Sequence, residues 1–182
     1  NFSLVFPILC AVSIIDTGKA LQYILWPMRC AACGKRLLFE EEFNNHIFCS
    51  ICSESLMPIN SPMCGICGIP FDCVGPDHLC KECMIDPPPF LSARAVYRYG
   101  VAARDAVLRL KYEKISWIGK KLGTLISKTF LLDNLTDVIV PVPLHKNKLY
   151  LRGFNQSALL AKQVSKLFSC PISVSAIERI VD

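Results

Sequence analysis

The sequence predicts an α/β protein in two unlike parts: a small module stapled by metal, then a partial domain built on a parallel sheet. Three observations carry this. Two successive segments each hold two C-x-x-C pairs, Cys30/Cys33 with Cys49/Cys52 and Cys64/Cys67 with Cys80/Cys83. Beyond residue 90 the apolar residues switch between period two and helical spacing, as strands and helices in alternation would. The charge also turns over. Residues 1–90 carry five Lys/Arg against nine Asp/Glu, net −4, and residues 91–182 carry fifteen against six, net +9.

The first element is an apolar N-terminal segment, residues 1–25. Residues 2–15 are almost all apolar, but a spanning helix needs about 20 residues, and Pro7 interrupts the run. The length suits a signal-peptide core, which stays open as the alternative reading, although no basic leader of the kind that marks an export signal is visible. The expectation is a helix packed on the rest of the protein, with no stable membrane insertion.

Residues 26–86 hold the cysteine repeat, "CAACGKRLLFEEEFNNHIFCSIC" followed by "CGICGIPFDCVGPDHLCKEC". The pairs are separated by fifteen residues in the first copy and twelve in the second. Two thiolates three positions apart on a tight turn can face one ion at about 2.3 Å, and two such turns complete a tetrahedral four-sulfur site. Gly34 and Gly68 each follow the second cysteine of a leading pair. Glycine there permits positive φ and lets amides point at sulfur. Disulfides suit secreted scaffolds, whereas this chain is 52% hydrophobic and its pairing is metal-like. A redox dithiol needs one C-x-x-C, and here there are four. Iron in a rubredoxin-like site shares the spacing and stays open at this point; zinc suits four sulfurs best. The expectation is two zinc ions in a double zinc ribbon, one on Cys30, Cys33, Cys49 and Cys52 and one on Cys64, Cys67, Cys80 and Cys83. Cys73 and His78 lie inside the second loop, and the symmetric reading needs neither. Cys10 and Cys170 read as isolated, buried small residues. Eight metal-bound thiolates imply a reducing compartment. The acidic "FEEEF" loop, residues 39–43, does not suit nucleic acid, so phosphate attraction falls to the second half.

"MIDPPPF", residues 84–90, reads as a semi-rigid linker, because three prolines favour extended backbone. The second domain then spans residues 91–182. Leu91, Ala93, Ala95, Tyr97 and Tyr99 alternate with Ser92, Arg94, Val96 and Arg98, a period-two strand. Helices are expected over residues 102–112 and 115–130, the second from Ile115, Ile118, Leu122, Leu125 and Ile126. "DVIVPVP", residues 137–143, reads as a strand buried on both faces. Ser157, Leu160, Ala161, Val164, Leu167 and Phe168 line a third helix, and Ile172, Val174 and Ala176 alternate again. This order predicts a parallel sheet.

The loop "PLHKNKLYLRGFNQS" joins a predicted strand to a helix, at the strand end where open α/β sheets bind ligands. It carries His145, Lys146, Lys148 and Arg152. Gly153 lets the backbone approach a ligand, and Asn155 caps a helix whose free amides favour an anion. Together they predict a phosphate or nucleic-acid contact. The competing reading is a solvated basic loop in which Arg152 and Asn155 only pin the backbone.

The double C-x-x-C unit, "ARAVYRYGVAARDAVLRLKY" and above all "VPVPLHKNKLYLRGFNQSALLA" resemble the ComF family of bacterial competence proteins, over most of residues 26–182. The resemblance implies a second half like a type I phosphoribosyltransferase. It also implies a role in uptake or processing of transforming DNA in the cytoplasm, with single-stranded DNA or another phosphate-containing ligand and a helicase-like competence partner. One departure stands out. Type I phosphoribosyltransferases carry a strand ending in two acids, then a Thr/Gly-rich loop for ribose 5-phosphate, and residues 1–182 contain neither. The chain stops at "AIERIVD", where the family has an Arg-containing segment leading to that loop, with Arg179 at its start. The expectation is therefore an incomplete second domain that does not itself transfer phosphoribose. The alternative is a phosphoribosyltransferase using phosphoribosyl pyrophosphate, with its catalytic loop beyond residue 182.

Overall fold

The structure is a computed structural model that describes residues 21, 24–25, 27–38, 46–129 and 136–181. The expectations for residues 1–20 and for the acidic "FEEEF" loop lie outside the described residues, as does Cys10.

The two cysteine segments fold as copies of one turn. In the first, Cys30 N–H donates to the Lys35 carbonyl (2.7 Å), Gly34 N–H to the Cys30 carbonyl (3.0 Å) and Leu37 N–H to the Met28 carbonyl (2.9 Å). The second repeats each bond, Cys64 to Ile69 (2.8 Å), Gly68 to Cys64 (3.0 Å) and Phe71 to Pro62 (2.9 Å). An antiparallel bridge closes each turn, Arg29 with Arg36 and Met63 with Pro70. Gly34 and Gly68 stand at φ 75° and 72°, the left-handed region where a side chain is strained. The third cysteine of each copy starts a short helix: α1 (Ser50–Glu54) follows Cys49 and α2 (Lys81–Ile85) follows Cys80, both from extended backbone.

Beyond the ribbons the helices fall close to their predicted places. They are α3 (Val101–Tyr112), α4 (Ser116–Thr129) and α6 (Gln156–Phe168). A seven-residue helix, α5 (Lys146–Arg152), occupies the segment expected as an irregular loop. His145 caps α5 by accepting the Asn147 N–H on Nδ1 (3.4 Å), and Gly153 at φ 79° ends it.

The expected parallel sheet is not formed among the described residues. It is reduced to one parallel bridge, Ile139 with Ile172, made by Ile139 N–H to the Pro171 carbonyl (2.8 Å) and Ser173 N–H to the Ile139 carbonyl (3.0 Å). Residues 137–143 are not buried on both faces: Val138, Val140 and Val142 are exposed, and Pro141 faces inward. Residues 91–99 are extended but join no sheet, because their hydrogen bonds go to the ribbons. Ala93 N–H donates to Ile66, Arg98 N–H to Met57, and Ile59 N–H to Val96.

The main core crosses from the first ribbon into the helices. Cys30, Ala31, Ala32, Leu37, Phe48 and Cys49 share one buried cluster with Ala102, Ala106 and Leu110 of α3 and Ile118 of α4. The second ribbon has a smaller cluster of its own, whose buried members are Cys64, Cys80 and Cys83. α4 meets α6 through two glycines. A Cβ at Gly119 would lie 3.1 Å from Leu159 Cβ, and one at Gly123 would lie 2.8 Å from the Leu160 carbonyl oxygen. The small residues set how closely the two helices approach.

Gly123→Ala tests that packing. Alanine is better than glycine in a helix by about 1 kcal/mol. Overpacking against a backbone oxygen costs roughly 1–3 kcal/mol. The clash should prevail, lowering the melting temperature by a few degrees in a thermal scan. A raised melting temperature would show that α4 and α6 can separate freely.

Candidate metal centres and anion-binding segment

In each ribbon four cysteine sulfurs converge, all within 4.8 Å of one another: Cys30, Cys33, Cys49 and Cys52, then Cys64, Cys67, Cys80 and Cys83. The pairing is sequential, as the sequence predicts. The Cys33 and Cys49 sulfurs are 3.8 Å apart, and those of Cys67 and Cys80 are 3.7 Å apart. A disulfide needs about 2.05 Å. A tetrahedron with metal–sulfur bonds of about 2.3 Å has edges of about 3.8 Å, so the observed spacing is that of ligands around one ion.

Electrostatics point the same way. Burial acts to raise the Cys30 thiol, but backbone N–H groups of Cys49, Cys33 and Ala32 outweigh it and bring it down to about 7. Cys64 is brought down to about 6 in the same manner, by the N–H groups of Cys80, Cys67 and Ile66 against burial. The last cysteine of each copy moves the other way. Burial, and then the neighbouring thiols, raise Cys52 and push Cys83 up to about 12. One thiolate per cluster forms readily and opposes the next, so four form together only around a cation. Zinc fits this donor set of four sulfurs.

Residues near the clusters are otherwise engaged. His78 stacks on Phe71, with ring centroids 4.0 Å apart, and its Nδ1 lies 3.2 Å from the Pro76 carbonyl oxygen. Cys73 is exposed and belongs to neither cluster. Cys170 is buried and donates to the Thr136 carbonyl (3.4 Å).

The basic segment is brought together around α5 and the start of α6. Lys146 Nζ pairs with Glu178 (3.1 Å) at an exposed position, an attachment of little strength. Lys148 is half-buried on the same helix. The Arg152 guanidinium lies over the Tyr112 ring, 5.6 Å from its centroid, and donates to Gln156 Oε1 (3.2 Å). Space above Gly153 is open. Asn155 Oδ1 accepts the Ser157 and Ala158 N–H groups (2.9 and 3.4 Å), and its Nδ2 donates to the Val142 carbonyl (3.0 Å). Two of the amides expected to face an anion are therefore taken by the cap itself. The sequence reading missed Gln156. It is buried, and its Nε2 has no hydrogen-bond partner among the described residues. The signal was its place at the first turn of a capped helix, four residues from Arg152.

A groove of about 990 Å³ lies elsewhere, between the first ribbon and α4. Met28, Phe48, Tyr97, Trp117, Lys120 and Lys121 contribute to its walls, and the six basic-segment residues singled out in the sequence do not. No helix among the described residues is long and apolar enough to cross a membrane.

Residues 21–84 match the double zinc ribbon domain. The two four-cysteine groups of that module fit two zinc ions. The chain is also similar to longer proteins. It is 31% identical over 138 residues to the DNA utilization protein YhgH of Escherichia coli, covering 72% of this chain and 59% of that protein. It is 27% identical over 139 residues to competence protein F of Haemophilus influenzae, covering 72% and 58%. It is 29% identical over 122 residues to competence protein ComFC of Bacillus subtilis, covering 63% and 50%. The chain thus spans between half and three fifths of the length of these curated relatives. No solved structure matches.

Two zinc equivalents per chain are expected by elemental analysis; fewer, or iron, would refute the assignment. Cys64→Ser should lose one equivalent and unfold mainly the second ribbon. Cys30→Ser should lose the other and also lower the melting temperature of the helices that share its core. Metal binding requires deprotonated thiols, so zinc should be released as pH falls to about 5 and retained at neutral pH.

Proposed function

We propose that this chain acts on transforming DNA during natural competence, with its two-zinc module as scaffold and its basic half as the phosphate-binding part. The observation that carries the reading is the similarity to a DNA utilization protein and two competence proteins. The ligand of this reading is single-stranded DNA, the compartment the cytoplasm, and the partner a helicase-like competence protein.

The proposed phosphate contact is the segment with His145, Lys146, Lys148, Arg152, Gly153 and Asn155. A guanidinium grips phosphate through two parallel hydrogen bonds, which Lys cannot copy. What supports the contact is the company Arg152 keeps. Gly153 leaves the backbone open beside it, and the buried Gln156 offers an amide donor with no partner among the described residues. A buried donor without a partner is costly, and an oxygen-rich anion would satisfy it.

A second reading is phosphoribosyl transfer from phosphoribosyl pyrophosphate. The parallel bridge between Ile139 and Ile172, just ahead of the basic segment, favours it as the start of a nucleotide-type sheet. It requires a ribose-phosphate loop that residues 1–182 do not contain.

Fluorescence anisotropy with a labelled oligothymidylate tests the first reading. Affinity should fall steeply with salt, in proportion to the phosphates neutralised. Replacing Lys146, Lys148 and Arg152 together with Ala should weaken binding by tenfold or more, roughly 1.4 kcal/mol. Arg152→Lys should weaken it while keeping the charge. Unchanged binding in the triple variant would remove this segment as the contact.

A further inference from the structure

Each zinc knuckle is held by an arginine that lies outside the ribbon's own cysteine unit. Arg109 comes from α3. Its Nη1 donates to the Cys30 carbonyl (2.7 Å) and the Ala31 carbonyl (3.3 Å), while its Nε donates to Glu113 Oε2 (2.9 Å). Its guanidinium lies against Gly34, with Cζ, Nη1 and Nη2 all 3.3 Å from where a Cβ would stand. Arg94 comes from the extended segment after the second ribbon. Its Nη2 donates to the Gly65 carbonyl (2.9 Å) and its Nη1 lies 3.4 Å from the Ile66 carbonyl oxygen. Ala93 beside it donates to the same Ile66 carbonyl (2.7 Å), and its own carbonyl oxygen lies 2.4 Å from where a Gly68 Cβ would stand. Ala31 and Gly65 are the same position in the two copies, each directly after the first cysteine.

The chemistry gives these contacts a purpose. Zinc with four thiolates carries a net charge of about −2. The knuckle's N–H groups turn toward sulfur, so its carbonyls turn away from the metal, and an arginine from beyond the ribbon grips them in each copy; in the first, Arg29 Nη1 also donates to the Gly34 carbonyl (3.2 Å). That orients the amides that stabilise the thiolates, and it sets one positive charge beside each negative centre. We propose that Arg109 and Arg94 are positioning residues of the first and second zinc centres respectively. Each retains its own metal and ties that centre to the basic half. The Arg109 side chain is 14% exposed, whereas Arg94 is exposed, so the first centre should depend on its arginine more strongly.

The test uses the zinc-loaded full chain with excess chelator and iodoacetamide. Peptide mass spectrometry follows the alkylation of each cysteine. Arg109→Ala should speed alkylation of Cys30, Cys33, Cys49 and Cys52 by about tenfold, the usual scale for loss of a group that orients metal ligands. It should leave Cys64, Cys67, Cys80 and Cys83 within about twofold of the parent, the effect being local. Arg94→Ala should do the reverse with a smaller factor. Arg109→Lys keeps the charge but loses the fork and should fall between parent and Arg109→Ala. If Arg109→Ala fails to fold, Arg109→Lys and Arg94→Ala decide. Equal acceleration of both clusters in each variant would show a general loss of stability and overturn the proposal. No acceleration in either would overturn it as well.

Discussion

Four sulfurs gathered within a few ångströms cannot all ionise unless a cation sits between them, and the first half of the chain is organised by that constraint. The cysteine that begins each copy is acidified by amides and the one that ends it is held protonated by burial and by its neighbours. The knuckle turns, the left-handed glycines and the short helices after Cys49 and Cys80 are the means of bringing ligands to one point. The second ribbon has little apolar core of its own. Its buried cluster consists of cysteines, with Ile66, Cys67 and Phe71 partly covered around them. Without metal it lacks the apolar burial a domain needs, so binding energy is folding energy there.

The first ribbon is placed differently, because its core continues into α3 and α4 through Leu37, Phe48, Ala106, Leu110 and Ile118. The helices rest on the ribbon, and α6 is laid close against α4 by Gly119 and Gly123. That stack carries the start of α6 and, with it, Gln156. Arg152 reaches the same framework through the Tyr112 ring at the end of α3. A metal centre and a candidate anion contact are thus both reached from the last turn of one helix, with Arg109 facing the first and Tyr112 the second.

The legible features were the local ones. C-x-x-C spacing dictates ligand geometry within a few residues, so both metal sites could be read directly. Helices α4 and α6 announced themselves through apolar residues at helical spacing, and α3 through the charged Arg104, Asp105, Arg109 and Lys111. α5 did not, because Leu149, Tyr150 and Leu151 are consecutive and exposed and leave no apolar stripe. Strands were misjudged for another reason. Alternation in residues 91–99 and the valines of residues 137–143 signal extended backbone, and both segments are extended. Hydropathy does not say which backbone will accept their hydrogen bonds, and for residues 91–99 the acceptors are in the ribbons. The arginine contacts on the knuckles were invisible for the same reason, since Arg109 meets Cys30 across a separation of 79 residues. Gln156 looked like an ordinary helix residue until its burial was known.

Gly34 and Gly68 bear on whether such a module can be exchanged between proteins. A free-standing knuckle needs glycine only for its backbone angle, and asparagine, which tolerates left-handed backbone, is a serviceable substitute. Here the missing side chain is also the seat for the guanidinium of Arg109 in one copy and the backbone of Ala93 in the other. Ribbon and helices have therefore become mutually fitted parts. A ribbon transplanted from elsewhere could bring all its cysteines, bind its zinc and still fail to seat, because the surface it must offer the rest of the chain is made of an absence.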